Sequence, residues 1–161
     1  MKEILEKLEQ STAFKEWRKG HAQDYLTSFF TMDPEQGWQL SYYDKNKDTI
    51  TSFEMAGESV KRNEISEVYK ESGSLEPIDM KNVKISLDDA WRKALKLRAR
   101  LYPNDLMQKK ITILQNAGDM QVWNLTIISS AFRTINIRID AATGEIIMHK
   151  ASSIFGYGKD I

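Results

Sequence analysis

Along the first 24 residues the apolar side chains fall at Ile4, Leu5 and Leu8 and then at Phe14 and Trp17. Gaps of three and four residues place them on one helical face, and Ser11-Thr12 offers a break and a new N-cap. The spacing predicts one helix or a broken pair. From Tyr25 the pattern changes. Leu-Thr-Ser-Phe-Phe-Thr-Met over residues 26–32 is β-prone, Asp33-Pro-Glu-Gln-Gly37 is dense in turn formers, and Trp38-Gln-Leu-Ser-Tyr-Tyr43 reads as a second strand. Asp44-Lys-Asn-Lys-Asp48 is the next turn and residues 49–55 a third strand, so residues 1–55 predict a helix followed by a three-stranded meander.

The second half repeats this order. Ser86-Leu-Asp-Asp89 is a capping box, and the helix it opens must stop before Pro103. Residues 110–114, 123–128 and 132–140 supply three strands, with turns at 116–119 and 129–131. Asp140-Ala-Ala-Thr-Gly144 is a tight turn whose glycine suits a positive φ, and residues 145–149 return as a fourth strand. Displacing the chain by 85 residues lays Leu26 on Ile111, Thr27 on Thr112, Trp38 on Trp123, Leu40 on Leu125 and Thr49-Ile50 on Thr134-Ile135. Recurrence of tryptophan, a residue present only four times, in the same strand of each half suggests an internal repeat. Between the halves, Glu54 to Asp79 carries seven carboxylates against three basic residues, and the stretch from Glu64 to Lys70 reads as a closing strand.

Composition narrows the chemistry. The chain has 161 residues, 41% of them hydrophobic and 29% charged, which is the composition of a folded protein of one domain or two small ones. Lys+Arg and Asp+Glu are balanced at 23 each, so no global field favours nucleic acid or an anionic membrane. Absence of cysteine removes disulfides, thiolate catalysis and cysteine metal sites. No apolar run approaches the length of a signal sequence or a membrane span, so a cytoplasmic location is expected if Met1 is the native start.

Two histidines, His21 and His149, leave little for imidazole chemistry. Neither is read as having a second histidine or a carboxylate at ligand spacing, so no metal site is expected. Asp44-Lys-Asn-Lys-Asp48 lacks the central glycine and closing glutamate of a calcium loop. Neither a phosphate-cradling glycine loop nor a nucleophile elbow is present, and no cofactor or catalytic residue is expected.

Two surfaces stand out. Alternate strand residues face opposite sides, so Phe29 and Phe30 cannot share one core, nor can Tyr42 and Tyr43. Phe30, Trp38, Tyr42 and Tyr43 are therefore the candidate ligand or partner surface. On the second helix Arg92, Lys96 and Arg100 form a basic stripe, and residues 81–110 hold nine basic side chains against three acidic ones. Asp88 and Asp89 precede Arg92 and Lys93 by four residues and offer intrahelical pairing, so nucleic acid is not the expected partner.

Ser86-Leu-Asp-Asp-Ala-Trp-Arg-Lys-Ala-Leu, then Val122-Trp-Asn-Leu-Thr-Ile, then Ile135-Asn-Ile-Arg-Ile-Asp-Ala-Ala-Thr-Gly-Glu-Ile-Ile resembles a PepSY domain over about 65 residues. The most specific element is Asp140 to Ile146, and the first half looks like a diverged copy. The resemblance implies a helix packed on an antiparallel sheet and an inhibitory or chaperone-like binding role, with no catalytic residues.

The reading is therefore an α+β protein of two tandem helix-plus-antiparallel-sheet units, PepSY-like or cystatin-like, sharing one core. Residues 1–80 form the first unit with its acidic connecting segment, residues 81–155 the second, and residues 156–161 a tail. The expected function is a non-enzymatic binding or regulatory module acting on a protein partner, as monomer or homodimer and without a membrane. The alternative is a small-molecule binding protein with an apolar pocket between helix and sheet, lined by residues such as Phe30, Trp38 and Tyr42.

Overall fold

The computed structural model describes residues 1–65 and 75–154, and the chain divides into two compact units, Met1–Met80 and Lys81–Ile161. In the first, α1 (Lys2–Gln10) and α2 (Thr12–Arg18) precede β1 (Tyr25–Thr31), β2 (Trp38–Asp44), β3 (Thr49–Ala56) and β4 (Ser59–Ile65). Ser11 is the only residue between the helices. Its own N–H closes α1 onto the Leu8 carbonyl, and its Oγ accepts the Phe14 N–H at 3.2 Å to cap α2. The strands are antiparallel in the order β4-β3-β2-β1. One face carries Phe29, Trp38, Leu40, Tyr42, Phe53 and Met55, all buried, and α2 lays Phe14 and Trp17 on it.

In the second unit α3 (Leu87–Leu101) precedes β5 (Met107–Ala117), β6 (Met120–Ser129), β7 (Arg133–Asp140) and β8 (Ile146–Ser153), antiparallel in sequence order. Trp123, Leu125 and Ile127 pair with Ile139, Ile137 and Ile135 across β6 and β7, so a period of two delivers six fully buried side chains to one face. Ala90, Trp91, Ala94 and Leu97 form the buried stripe of α3. Trp91 donates its indole N–H to Thr112 Oγ1 at 3.0 Å, and Trp123 donates to the Ile85 carbonyl, also at 3.0 Å.

The expected class is corrected. What forms is mostly antiparallel sheet, eight strands with three short helices, and not an α+β pair of tandem helix-plus-sheet units sharing one core. Two features explain the difference. Ser11 splits the N-terminal helical pattern into pieces of nine and seven residues, against a single helix of fifteen in the second unit. Strands also extend beyond the apolar runs that signal them: β4 is Ser-Val-Lys-Arg-Asn-Glu-Ile, and β5 gains exposed Met107, Gln108 and Lys109. The 85-residue displacement does not survive in the ladders. Trp38 pairs with Met55 but Trp123 with Ile139, one position out of step. Of the closing strand expected over residues 64–70, only 64–65 fall in β4, and residues 66–70 lie outside the described residues, as does the expected tail.

Candidate functional site

In the second unit the Asp140–Gly144 turn is built from its own sequence. Asp140 Oδ1 accepts the N–H groups of Ala142 (2.7 Å) and Thr143 (2.9 Å), Gly144 N–H donates to the Asp140 carbonyl, and Thr143 Oγ1 accepts from Glu145 N–H. Gly144 sits at φ +76°, where a Cβ would stand 3.0 Å from Ile85 Cδ1 and 3.3 Å from Lys93 Cε. The chain leading into α3 is tied to the same place, because Lys84 and Ile85 N–H both donate to the Ala141 carbonyl. Two rigid elements thus stand side by side, the turn with the start of β8 and the second half of α3.

Between them runs a groove of about 400 Å³. Leu97 and Ile146 form its apolar floor, Gly144 and Glu145 one wall, and Lys93, Lys96 and Arg100 the other. Among the described residues none of these three cations lies within ion-pair distance of a carboxylate. Each is exposed. Beyond the groove, Tyr102 at the end of α3 meets His149 of β8, phenol oxygen to Nδ1 at 2.9 Å.

The basic stripe read from sequence is thereby divided. Lys96 and Arg100 line the groove together with Lys93, whereas Arg92 turns away and pairs with Asp89 Oδ1 at 2.6 Å. The Ser86 hydroxyl, which donates to Asp89 Oδ2, and then Arg92 hold the Asp89 carboxyl below its usual range. The intrahelical partner of Arg92 is thus Asp89 at three residues, where spacing favoured Asp88 at four.

The aromatic candidates of the first unit do not converge. Tyr42 is buried among Phe14, Trp17 and Phe53, with ring centroids 5.2 to 6.0 Å away. The Arg18 guanidinium lies 5.0 Å from its ring centre. Burial drives the Tyr42 phenol well above its ordinary value, against the pull of Arg18. Tyr43 faces the other side of the sheet, edge-on to Tyr25, and donates to Asp48 Oδ1 at 2.6 Å. Phe30 and Trp38 border a shallow hollow of about 300 Å³ with Met32, Gln36, Gly37 and Met55. Tyr42 and Tyr43 do not line it.

One cluster escaped sequence reading. His21, Asp24 and Asp44 bring one ligand-type atom each within 4.8 Å of one another, so His21 does have carboxylates beside it. Its Nδ1 lies 2.9 Å from Asp24 Oδ2, and its ring stacks on Trp17 at 4.8 Å. The His21-x-x-Asp24 spacing was the legible signal. Asp44 arrives through the β1–β2 register, which pairs Tyr25 with Tyr43. Of the charges here, that of Asp44 already has partners. Asp44 Oδ1 accepts the N–H groups of Lys47 and Asn46, which hold its carboxyl below the usual range, and Lys47 Nζ stands 3.5 Å from Oδ2. Arg18 donates to the His21 and Asp24 carbonyls at 2.9 and 2.8 Å. The cluster brings the α2–β1 connection beside the β2–β3 turn.

A comparison with protein-family models returns no match, and neither does one with curated protein sequences. Among solved structures, the fold is similar to that of a crystal structure from Clostridium difficile 630 described as a putative lipoprotein (CD1622). The TM-score is 0.58 and the identity 13%, over 87% of this chain and 90% of that one. Within the described residues no helix is long and apolar enough to cross a membrane. At that identity the likeness is one of fold, a small sheet-rich fold spanning nearly the whole of both chains.

Proposed function

We propose that this protein is a non-enzymatic binding module acting on another protein, with the groove between α3 and the Asp140–Gly144 turn as its binding site. The observation that carries the reading is the groove's construction. An apolar floor of Leu97 and Ile146 is presented by a helix and a capped turn, so little conformational freedom is lost when a partner side chain enters. The PepSY resemblance of residues 86–147 supports it, since that family is associated with inhibitory and chaperone-like binding. The similar structure's description as a putative lipoprotein is compatible with a place at a membrane surface, beside the cytoplasmic location expected from sequence.

The test is selection of peptides from a random displayed library against the full chain, followed by affinity measurement on two variants. Ile146→Asp places a charge on the floor and should weaken selected peptides at least tenfold. Ile147→Asp, one residue further on a side chain 40% exposed and outside the groove, should leave them within twofold. Peptides that bind both variants like the parent, or a library yielding none, would refute the assignment.

A second reading has one observation in its favour: about 400 Å³ is within the range of small-molecule sites. Native mass spectrometry of the purified chain separates the two, since a small-molecule carrier retains a bound mass that Ile146→Asp loses.

A further inference from the structure

We infer that the partner segment taken by the groove is an acidic amphipathic helix, an inference that rests on the binding reading above and adds the partner's chemistry. Three observations converge on it. Lys93, Lys96 and Arg100 line one wall, only Glu145 opposes them with negative charge, and the floor between is apolar. A complementary surface must therefore bring carboxylates to the α3 side and an apolar side chain to Leu97 and Ile146, with no acid beside Glu145.

Spacing selects the conformation. Residues 93, 96 and 100 follow one another at three and four positions, so at 1.5 Å per residue the cations extend about 10.5 Å along the helix axis. A partner helix with acids repeated at three and four positions has the same span and lies in step with them. An extended strand presents same-face side chains about every 6.7 Å, so three acids span roughly 13 Å and match the cations less closely than a helix does. Leu97, one residue beyond Lys96, sets the place of the apolar anchor, which on the partner helix adjoins the middle acid. Among the described residues no carboxylate lies within pairing distance of Lys93, Lys96 or Arg100, and only Lys93 acts on Asp89 through space, whereas Arg92 is bound to it directly.

The test uses the full chain and fluorescence anisotropy with synthetic, end-blocked 18-residue helical peptides at low salt. One carries Glu at i, i+3 and i+7 with Leu at i+4. Its comparators move the three Glu to the opposite face, or replace them with Gln. The first peptide should bind at least tenfold tighter than either comparator, and its affinity should fall as salt rises from 50 to 300 mM. Reversing the wall with Lys93→Glu, Lys96→Glu and Arg100→Glu together should weaken it at least tenfold. Arg92→Glu, an equal change of charge per site outside the groove, should act less than twofold.

Equal binding of the opposite-face peptide, or indifference to the triple reversal, would overturn the acidic-helix inference. If the Gln peptide binds as tightly as the Glu peptide and loses binding to Ile146→Asp, the groove remains a protein site and only the acidic chemistry falls. Should vesicles of phosphatidylglycerol bind through the three cations while no peptide does, the occupant is a lipid surface and the inference is overturned. Failure of every probe overturns the acidic-helix inference alone, while the binding reading stands or falls on the displayed library.

Discussion

Gly37→Ala is the substitution whose consequence the structure fixes most tightly. Gly37 ends the β1–β2 turn at φ +152°, and a Cβ built there stands 2.1 Å from the Met55 carbonyl oxygen and 3.1 Å from its carbon. Real Cβ atoms essentially never come within 3.0 Å of such a neighbour, so a gap of nearly an ångström must be opened. The obstacle is backbone of β3, which is paired on both sides and cannot rotate away as a side-chain tip would. Relief must come from the turn, which is held by Gly37 N–H donating to the Asp33 carbonyl and Thr31 Oγ1 donating to the Gly37 carbonyl at 2.7 Å. Overpacking of this kind costs about 1–3 kcal/mol, and each turn hydrogen bond lost adds about 1 kcal/mol. The expected destabilisation is about 3 kcal/mol, or a fall in Tm of roughly 6–12 °C for a chain of this length. Urea unfolding followed by far-UV circular dichroism measures it. Gly20→Ala is the comparator, because a Cβ at Gly20 meets nothing within 4 Å, and it should be neutral or slightly stabilising. Coincident unfolding midpoints for the two variants would refute the argument.

Two further outcomes follow from the charges. Asp105 is buried, accepts the hydroxyl of fully buried Ser129 at 2.9 Å and pairs with Arg133 at 2.9 Å. Because the Arg133 side chain is 42% exposed, Asp105→Ala should cost about 2–3 kcal/mol in urea unfolding rather than the 3–5 of a fully buried pair, and Asp105→Asn less than half of that. Asp44 is held ionised in the fold by the N–H groups of Lys47 and Asn46. Its contribution to stability is therefore present above its unfolded pKa of about 3.9 and is lost as pH falls through the lower folded value. Asp44→Ala should be destabilising at pH 7 and 5, with the gap to the parent shrinking at pH 3; an unchanged gap would show that the carboxylate's charge is irrelevant.

How much of this was legible depends on whether a feature is local. The period-two run Trp123-x-Leu125-x-Ile127 against Ile135-x-Ile137-x-Ile139 announces two central strands, because burial of alternate residues leaves a mark in sequence. The division of Phe29 from Phe30 and of Tyr42 from Tyr43 follows from the pleat alone, and the structure has Phe29 and Tyr42 in the core with Tyr43 on the other face. β4 left no such mark, since Lys61, Arg62 and Glu64 are exposed and the strand exists because β3 offers it a ladder. The groove was legible only by halves. Helical periodicity found Lys96 and Arg100, and the turn motif found Gly144, but nothing in the sequence says that residues some fifty positions apart share a wall and a floor. Substitution of Lys93 for Arg92 in that wall depended on Asp89 capturing the arginine, a choice between neighbours that spacing does not decide.

The charged outer strand of the first unit has a consequence for handling the protein. β4 closes its ladder with Lys61, Arg62 and Glu64 exposed, and Arg62 and Glu64 are 3.7 Å apart along the strand. Two copies meeting edge to edge would have to bring Lys61, Arg62 and Glu64 of each within a strand spacing of under 5 Å, with cations outnumbering carboxylates two to one. Concentrated solutions are thus guarded at this edge against fibre growth by charge of one dominant sign. That guard weakens in high salt, the condition under which stored samples would first show sheet-on-sheet association.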